Sequence, residues 1–513
     1  MKRLIAILLS ALLLLAGCAK EEPAAKSTAK AGTMPLPEGA VKIELSDDGV
    51  LVDGKAAANK AGAAVYTAND IVYYPEGQDF TFGEGTEADA HPASEADAHT
   101  VVHIAGAGTY AVSGTLSAGQ IAIDLGEDAE DDPEAVVTLI LNGVDITCTV
   151  APAVIFYSVY ECGDKDAPTS GVDTGAAGAN VRIADGSVNN VSGSYVERIY
   201  KPDSVKLNSA GTEVKDAKKL HKYDAAFYSK MSMNIDGGDG QLNILAENEG
   251  LDSELHLTIN GGQINITSGN DGINTNEDGV SVTTVNGGSV NILVTGQTGE
   301  GDGIDSNGWL VINGGTLTAA ACGKSADAGI DSDLGIYING GTVAASGNML
   351  DAIAGGEGTW AVFEFDSAQK GGSTYTLKNA EGKAVMEAAP ANEFYFLVMA
   401  SSGLEPGDYT LWQGDTQLAG SPAGGMGGFG GFGGQPPEGM ERPEGMERPE
   451  DAEMPQKPDG ENPPMAEGQR PEMPDDAKRP QGGKGGMPSA AGEASATFAM
   501  DKGGNTFSGV KKA

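Results

Sequence analysis

The chain has 513 residues, 76 of them glycine, and a formal charge of −41 from 73 acidic against 32 basic residues. That balance argues against nucleic acid, or the anionic face of a membrane, as a partner, since both call for a basic surface. Apart from Cys18, the cysteines are Cys148, Cys162 and Cys322; an odd number forbids full pairing, and none has the spacing of a zinc site.

Lys2 and Arg3 precede an apolar run over 4–15, too short to cross a bilayer as a helix, and Leu15-Ala16-Gly17-Cys18 closes it. This tetrapeptide is similar to a bacterial lipobox. The likeness implies a lipoprotein signal peptide over 1–17, lipidation at Cys18, and a mature protein at the cell surface that touches the membrane through its N-terminal lipid only. Residues 18–39, rich in Ala, Lys, Glu and Pro, read as a tether. From residue 40 to 125 the chain is β-rich, with alternation at 41–45 and 120–124. The stretch 137–146 already carries a repeat-like strand, so the regular part begins before residue 150. The period then lapses between Asp164 and Asp224, except at 183–188, and loops at 163–180 and 193–222 read as insertions projecting from a rung.

An aliphatic residue followed by Asn-Gly-Gly or Asp-Gly-Gly recurs at Ile235, Ile259, Val285, Ile312 and Ile338, spaced by 24, 26, 27 and 26 residues. Such a period, made of short strands and Gly turns, predicts a coil of stacked β-rungs. Apolar residues return five and seven positions after each marker, as at Ile264 and Ile266, Val290 and Ile292, Leu317 and Ala319, Val343 and Ala345. The first repeat fits, with Leu242 and Ile244, if Asp239 and Gly240 are inserted. A second phrase, acid-flanked around Leu251, Ile273, Ile304 and Ile330, predicts a third short strand in each rung.

After Ile353 the repeat stops, and bulkier aromatic strands follow that suit the cap of a solenoid. Residues 421–490, dominated by Gly, Pro, Met and Glu, cannot bury a core and are expected to be disordered. Strand character returns in 491–513, which is expected to come back and pair with the strand near Tyr409.

Phrases such as Leu255-His256-Leu257-Thr258-Ile259-Asn260-Gly261-Gly262 and the Asp-Gly-Ile turns resemble the bacterial carbohydrate-binding domain-containing proteins. So do Gly106 to Tyr110 with Ser113 to Leu116, and Asp224-Ala225-Ala226-Phe227-Tyr228-Ser229. The resemblance covers roughly 40–420, which becomes the expected carbohydrate-binding domain. It implies an all-β, right-handed parallel β-helix (solenoid) of pectate-lyase-like type, calcium binding, and affinity for plant-type polysaccharide, acidic or cellulose-like, without catalysis.

Within that frame, acids on successive third strands lie about 4.8 Å apart and repel unless hydrated or bridged by cations. Asp302, Asp305, Asp331 and Asp333, with Asp271, Asn274 and Asp278 on the rung before, offer the hard oxygens that Ca²⁺ takes. Trp309 and Tyr337 stand at odd offsets from their markers on neighbouring rungs, so both point outward as a candidate sugar platform. A polysaccharide lyase or glycoside hydrolase is the alternative, although no Arg lies between Arg198 and Arg442 to act as base and Lys324 is the only Lys from Met231 to Glu364. A structural surface spacer or adhesin is the second alternative.

Overall fold

The computed structural model describes residues 27–423 and 493–513; the expected signal peptide, Cys18 and most of 421–490 lie outside the described residues. The protein is all-β, and among the described residues helix is confined to Ala93–Ala96 and a 3-10 turn at Ala129–Asp131.

Three parallel columns of strands organise the repeats. In the first, Val137–Thr147 pairs with Ala179–Ile183, and the column continues through Met233–Gly237, His256–Ile259, Val282–Val285, Trp309–Ile312 and Gly335–Ile338. All five marker residues share one register line and are buried. The second column runs from Val188–Gly193 through Gln241–Ala246, Gln263–Ser268, Ser289–Val294 and Thr316–Ala320 to Thr342–Gly347, with Leu242, Ile264, Val290, Leu317 and Val343 stacked inside. The third belongs to an eight-stranded sheet and includes Gly119–Asp124, Val154–Ser158, Ala225–Ser229, Glu249–Ser253, Ile273–Thr275 and Ile304–Ser306. Ile330 is buried beneath it but not in a strand. The ladder hydrogen bonds nevertheless persist there, Ile304 N to Gly329 O at 3.3 Å and Asp331 N to Ile304 O at 2.7 Å.

The paired glycines divide the labour of the corner. The second of each pair has positive φ, 91° at Gly262 and 79° at Gly288, where a side chain is strained. The first is needed for close approach: a Cβ on Gly261 would lie 2.2 Å from the carbonyl oxygen of Gly237 on the rung below. Just before each pair, Asn260, Asn286, Asn313 and Asn339 form an exposed ladder, each Nδ2 donating to the preceding Oδ1 at 2.8–2.9 Å. A second ladder, Asn190, Asn243, Asn265 and Asn291, climbs the outward face of the second column.

Two expectations are modified. The 193–222 insertion is not a plain loop: Val196–Tyr200 pairs antiparallel with Lys219–Tyr223, and Lys206–Leu207 with Val214–Asp216. Part of the expected tether lies on the domain, with Lys30 bridged to Val188 and Met34 and Leu36 packed on Ala111, Ile140 and Ala184.

From Thr359 onward a second core forms around Phe363, Tyr375, Phe394, Phe498 and Phe507. Phe394–Ser401 runs antiparallel to Thr342–Gly347 and so covers the end of the second column. Phe498–Met500 pairs with Gly407–Gln413, and Gly504–Lys512 with both Thr416–Pro422 and Thr359–Gln369.

Candidate metal and carbohydrate site

The acid-Gly-aliphatic-acid phrase builds the site. A Cβ on Gly250, Gly272 or Gly303 would fall within 2.6 Å of the neighbouring rung's carbonyl oxygen, so glycine lets the rungs close up there. The aliphatic residue turns inward, and the flanking acids are carried into register on the sheet. Tyr228, Asp252, Asn274 and Asp305 form one line, and Ala225 pairs with Glu249, which brings Asp224 beside Glu249.

Carboxylate oxygens of Asp224, Glu249 and Asp252 lie within 4.8 Å of one another, and all three residues are buried. Asp224 Oδ1, Glu249 Oε2 and Asn274 Oδ1 have no hydrogen-bond partner. Three orphaned buried acceptors in one cluster, with a single ammonium nearby, form a donor set able to hold a cation. That ammonium belongs to Lys222, which contacts Asp224 Oδ2. Asn276 Nδ2 donates to both Asp252 oxygens at 2.9 Å. The donor set is all oxygen, which suits a hard ion such as Ca²⁺ and not zinc.

The electrostatics agree. Burial, then repulsion from Asp224, Asp252 and Asp271, pushes Glu249 well above the usual carboxylate range. Burial and the neighbouring Glu254 and Asp224 do the same to Asp252. Asp224 rises to about 6 through burial, with Lys222 pulling the other way. Burial also raises Asp271, Asp305 and Asp331 to about 7 and Asp302 to about 9, each reinforced by nearby acids.

Of the residues expected to hold metal, Asp271, Asn274, Asp302, Asp305 and Asp331 lie along this acidic column, and Asp271 Oδ1 accepts from Asp302 N at 2.7 Å. Asp278 and Asp333 are exposed at its margin. The tightest cluster sits one rung earlier than expected. Glu249 and Asp252 carry the same phrase as the other rungs; Asp224 closes the aperiodic insertion and had no periodic signal. The insertion also supplies cations to this cluster, since both Lys222 and Arg198 act on Asp224.

Trp309 and Tyr337 are half-buried, while Leu310 and Ile336 between them face the core. Trp309 pairs with Gly335 and Tyr337 with Val311, which places the two rings on one face, two residues apart along the strand and one rung across.

The scaffold is all-β, with a buried acid cluster on the third column and half-buried, outward aromatic residues on the first. The family model of carbohydrate-binding domain-containing proteins matches residues 98–357, half of the chain, and the chain belongs to that family. Among solved structures the chain is similar to one titled as the polysaccharide lyase-like protein from C. thermocellum, gadolinium derivative. The identity is 19%, over 59% of this chain and 93% of that one, with a TM-score of 0.33. No curated protein matches the chain.

Proposed function

We propose that the three columns are the faces of a right-handed parallel β-helix, and that this chain binds acidic polysaccharide through calcium held by Asp224, Glu249, Asp252 and Asn274, without catalysis. The observation that carries the reading is the set of orphaned buried oxygens at Asp224, Glu249 and Asn274. Ca²⁺ takes six to eight oxygens, more than these four side chains supply singly, and uronate carboxylates are fitting additional ligands. Calcium thereby joins an acidic sugar to an acidic protein. The column through Asp271, Asp302, Asp305 and Asp331 extends the same chemistry along the sheet, and Trp309 with Tyr337 offers a stacking platform.

A lyase is the second reading, favoured by Lys222 and Arg198 beside the acids. Burial lowers the affinity of Lys222 for its proton, but Asp224 and Glu249 outweigh it and hold the ammonium above its ordinary value, so Lys222 is a poor base. A polygalacturonate-bearing glycan array, run with calcium and with chelator, tests the binding. Retention that falls at least tenfold in chelator, and at least threefold in folded Trp309→Ala and Tyr337→Ala proteins, is the expected result. Binding indifferent to chelator would remove the metal reading. Unsaturated uronate products would replace binder with lyase.

The Leu15-Ala16-Gly17-Cys18 sequence supports anchoring at the cell surface through lipidated Cys18. Cys18→Ser protein is then expected to leave the membrane fraction, and its recovery there at the wild-type level would contradict the anchor.

A further inference from the structure

His256, Val282 and Trp309 stand in one register line on the outward face of the first column. The insertion after Gly163 bends over the lower end of that line and leaves a cavity of about 170 Å³, lined by Cys162, Asp164, Thr169, Asp173 and His256. His256 is 3% exposed, yet its Nδ1 is unpaired, and neither ring nitrogen has a protein partner among the described residues. A buried imidazole without partners, facing a cavity, marks the place of a missing polar group. Burial lowers its pKa to about 4, so the ring is neutral at physiological pH and offers one donor and one acceptor. A sugar hydroxyl group satisfies either nitrogen.

The lining also selects the ligand. Two acidic residues, Asp164 and Asp173, line the cavity, each with one carboxylate oxygen accepting a backbone N–H of its own turn at 2.9 Å, and the adjacent cation, Lys165, is engaged by Glu277 at 3.2 Å. A uronate is repelled; a neutral ring is not. Pro168, Val172 and Val280 supply apolar surface for its C–H face. The volume suits one small ring rather than an oligomer, being below the usual range for drug-sized ligands. Two rungs along the same line, roughly 10 Å away, stands Trp309.

We propose that this cavity binds one neutral hexose, the terminal residue of a glycan that runs along the first column toward Trp309. The proposal rests on the carbohydrate-binding reading but is independent of the metal. Methyl glycosides of D-galactose and D-glucose are the probes, added to the full chain in chelator. Binding is followed by saturation-transfer NMR and by the ¹⁵N shifts of the His256 ring. Gly171 lines the cavity and a Cβ there meets nothing within 4 Å, so Gly171→Leu adds bulk at the cavity wall without a backbone clash. His256→Leu removes the polar contacts. At least one glycoside is expected to shift the ring resonances, and each variant, with wild-type melting temperature, to weaken binding tenfold or more. Calcium-dependent polygalacturonate retention stays unchanged in both. The proposal is overturned if neither glycoside moves the ring, if methyl D-galacturonide binds as well as the neutral sugars, or if His256→Leu binds like wild type.

Discussion

Stripping divalent cations from the wild-type chain at pH 8 lowers its melting temperature by on the order of 5 °C, and calcium restores it. The cause is the column from Asp224 to Asp331, where burial and nearby acids raise Asp224, Glu249, Asp252, Asp271, Asp302, Asp305 and Asp331. In the unfolded chain these groups titrate near 4. Their folded values lie at about 6 to 9 where a number applies, so between those limits the folded state binds more protons than the unfolded state. Stability without cation therefore rises as pH falls from about 9 toward 4, the reverse of ordinary acid denaturation. Chelated protein is expected to melt higher at pH 5 than at pH 8, and calcium to narrow the gap. Glu249→Gln and Asp252→Asn remove charge while keeping shape. In chelator each melts above wild type; with calcium each gains less. Calorimetry that finds the chelated protein weaker at pH 5, and all three proteins indifferent to calcium, would refute this account.

Deleting 493–513 is expected to abolish the folding of the second core. Phe498, Met500, Phe507 and Val510 are each no more than 2% exposed, and the Phe498 and Phe507 rings pack on Phe363. Removing even one buried Phe side chain costs about 3–5 kcal/mol, and the deletion removes two and leaves three strands short of a partner. Replacing 424–492 by a short linker is expected to do little. Gly420 and Ser495 already exchange two backbone hydrogen bonds, at 3.0 and 2.8 Å, so the ends are held together, and loop-closure entropy varies only logarithmically with length. Near-ultraviolet circular dichroism through a thermal ramp separates the cases. An unaltered transition after loss of 493–513 would mean that the returning strands contribute nothing.

The repeats were legible because two local constraints coincide at each marker: period-two apolar spacing fixes which side chain turns inward, and Gly-Gly fixes where the chain turns. The register of Ile235, Ile259, Val285, Ile312 and Ile338 follows from these alone. The acidic column was legible as far as the phrase repeats, hence Asp271, Asp302 and Asp305. Asp224 and Lys222 were not, because their position depends on where an aperiodic insertion rejoins the sheet, a long-range pairing of Ala225 with Glu249. His256 gave no signal either. Its meaning arises only when a loop about 90 residues earlier in the chain closes over it.

The exposed asparagine ladder has a bearing on chemical ageing. Asn260, Asn286, Asn313 and Asn339 are each followed by glycine, the context in which the next backbone nitrogen most easily attacks the side-chain carbonyl to give a succinimide and then aspartate. In the ladder the Oδ1 atoms of Asn260, Asn286 and Asn313 each accept a hydrogen bond from the amide above, while the ladder strands hold the backbone away from the cyclic geometry. Asn339 is the last rung, with no ladder amide above it. Deamidation therefore enters from that end. Its product is a carboxylate one rung, about 4.8 Å, from Asn313, whose Oδ1 then loses the amide that donated to it and gains a charge beside it. A surface that is neutral when synthesised thus records the age of the molecule from its capped end inward.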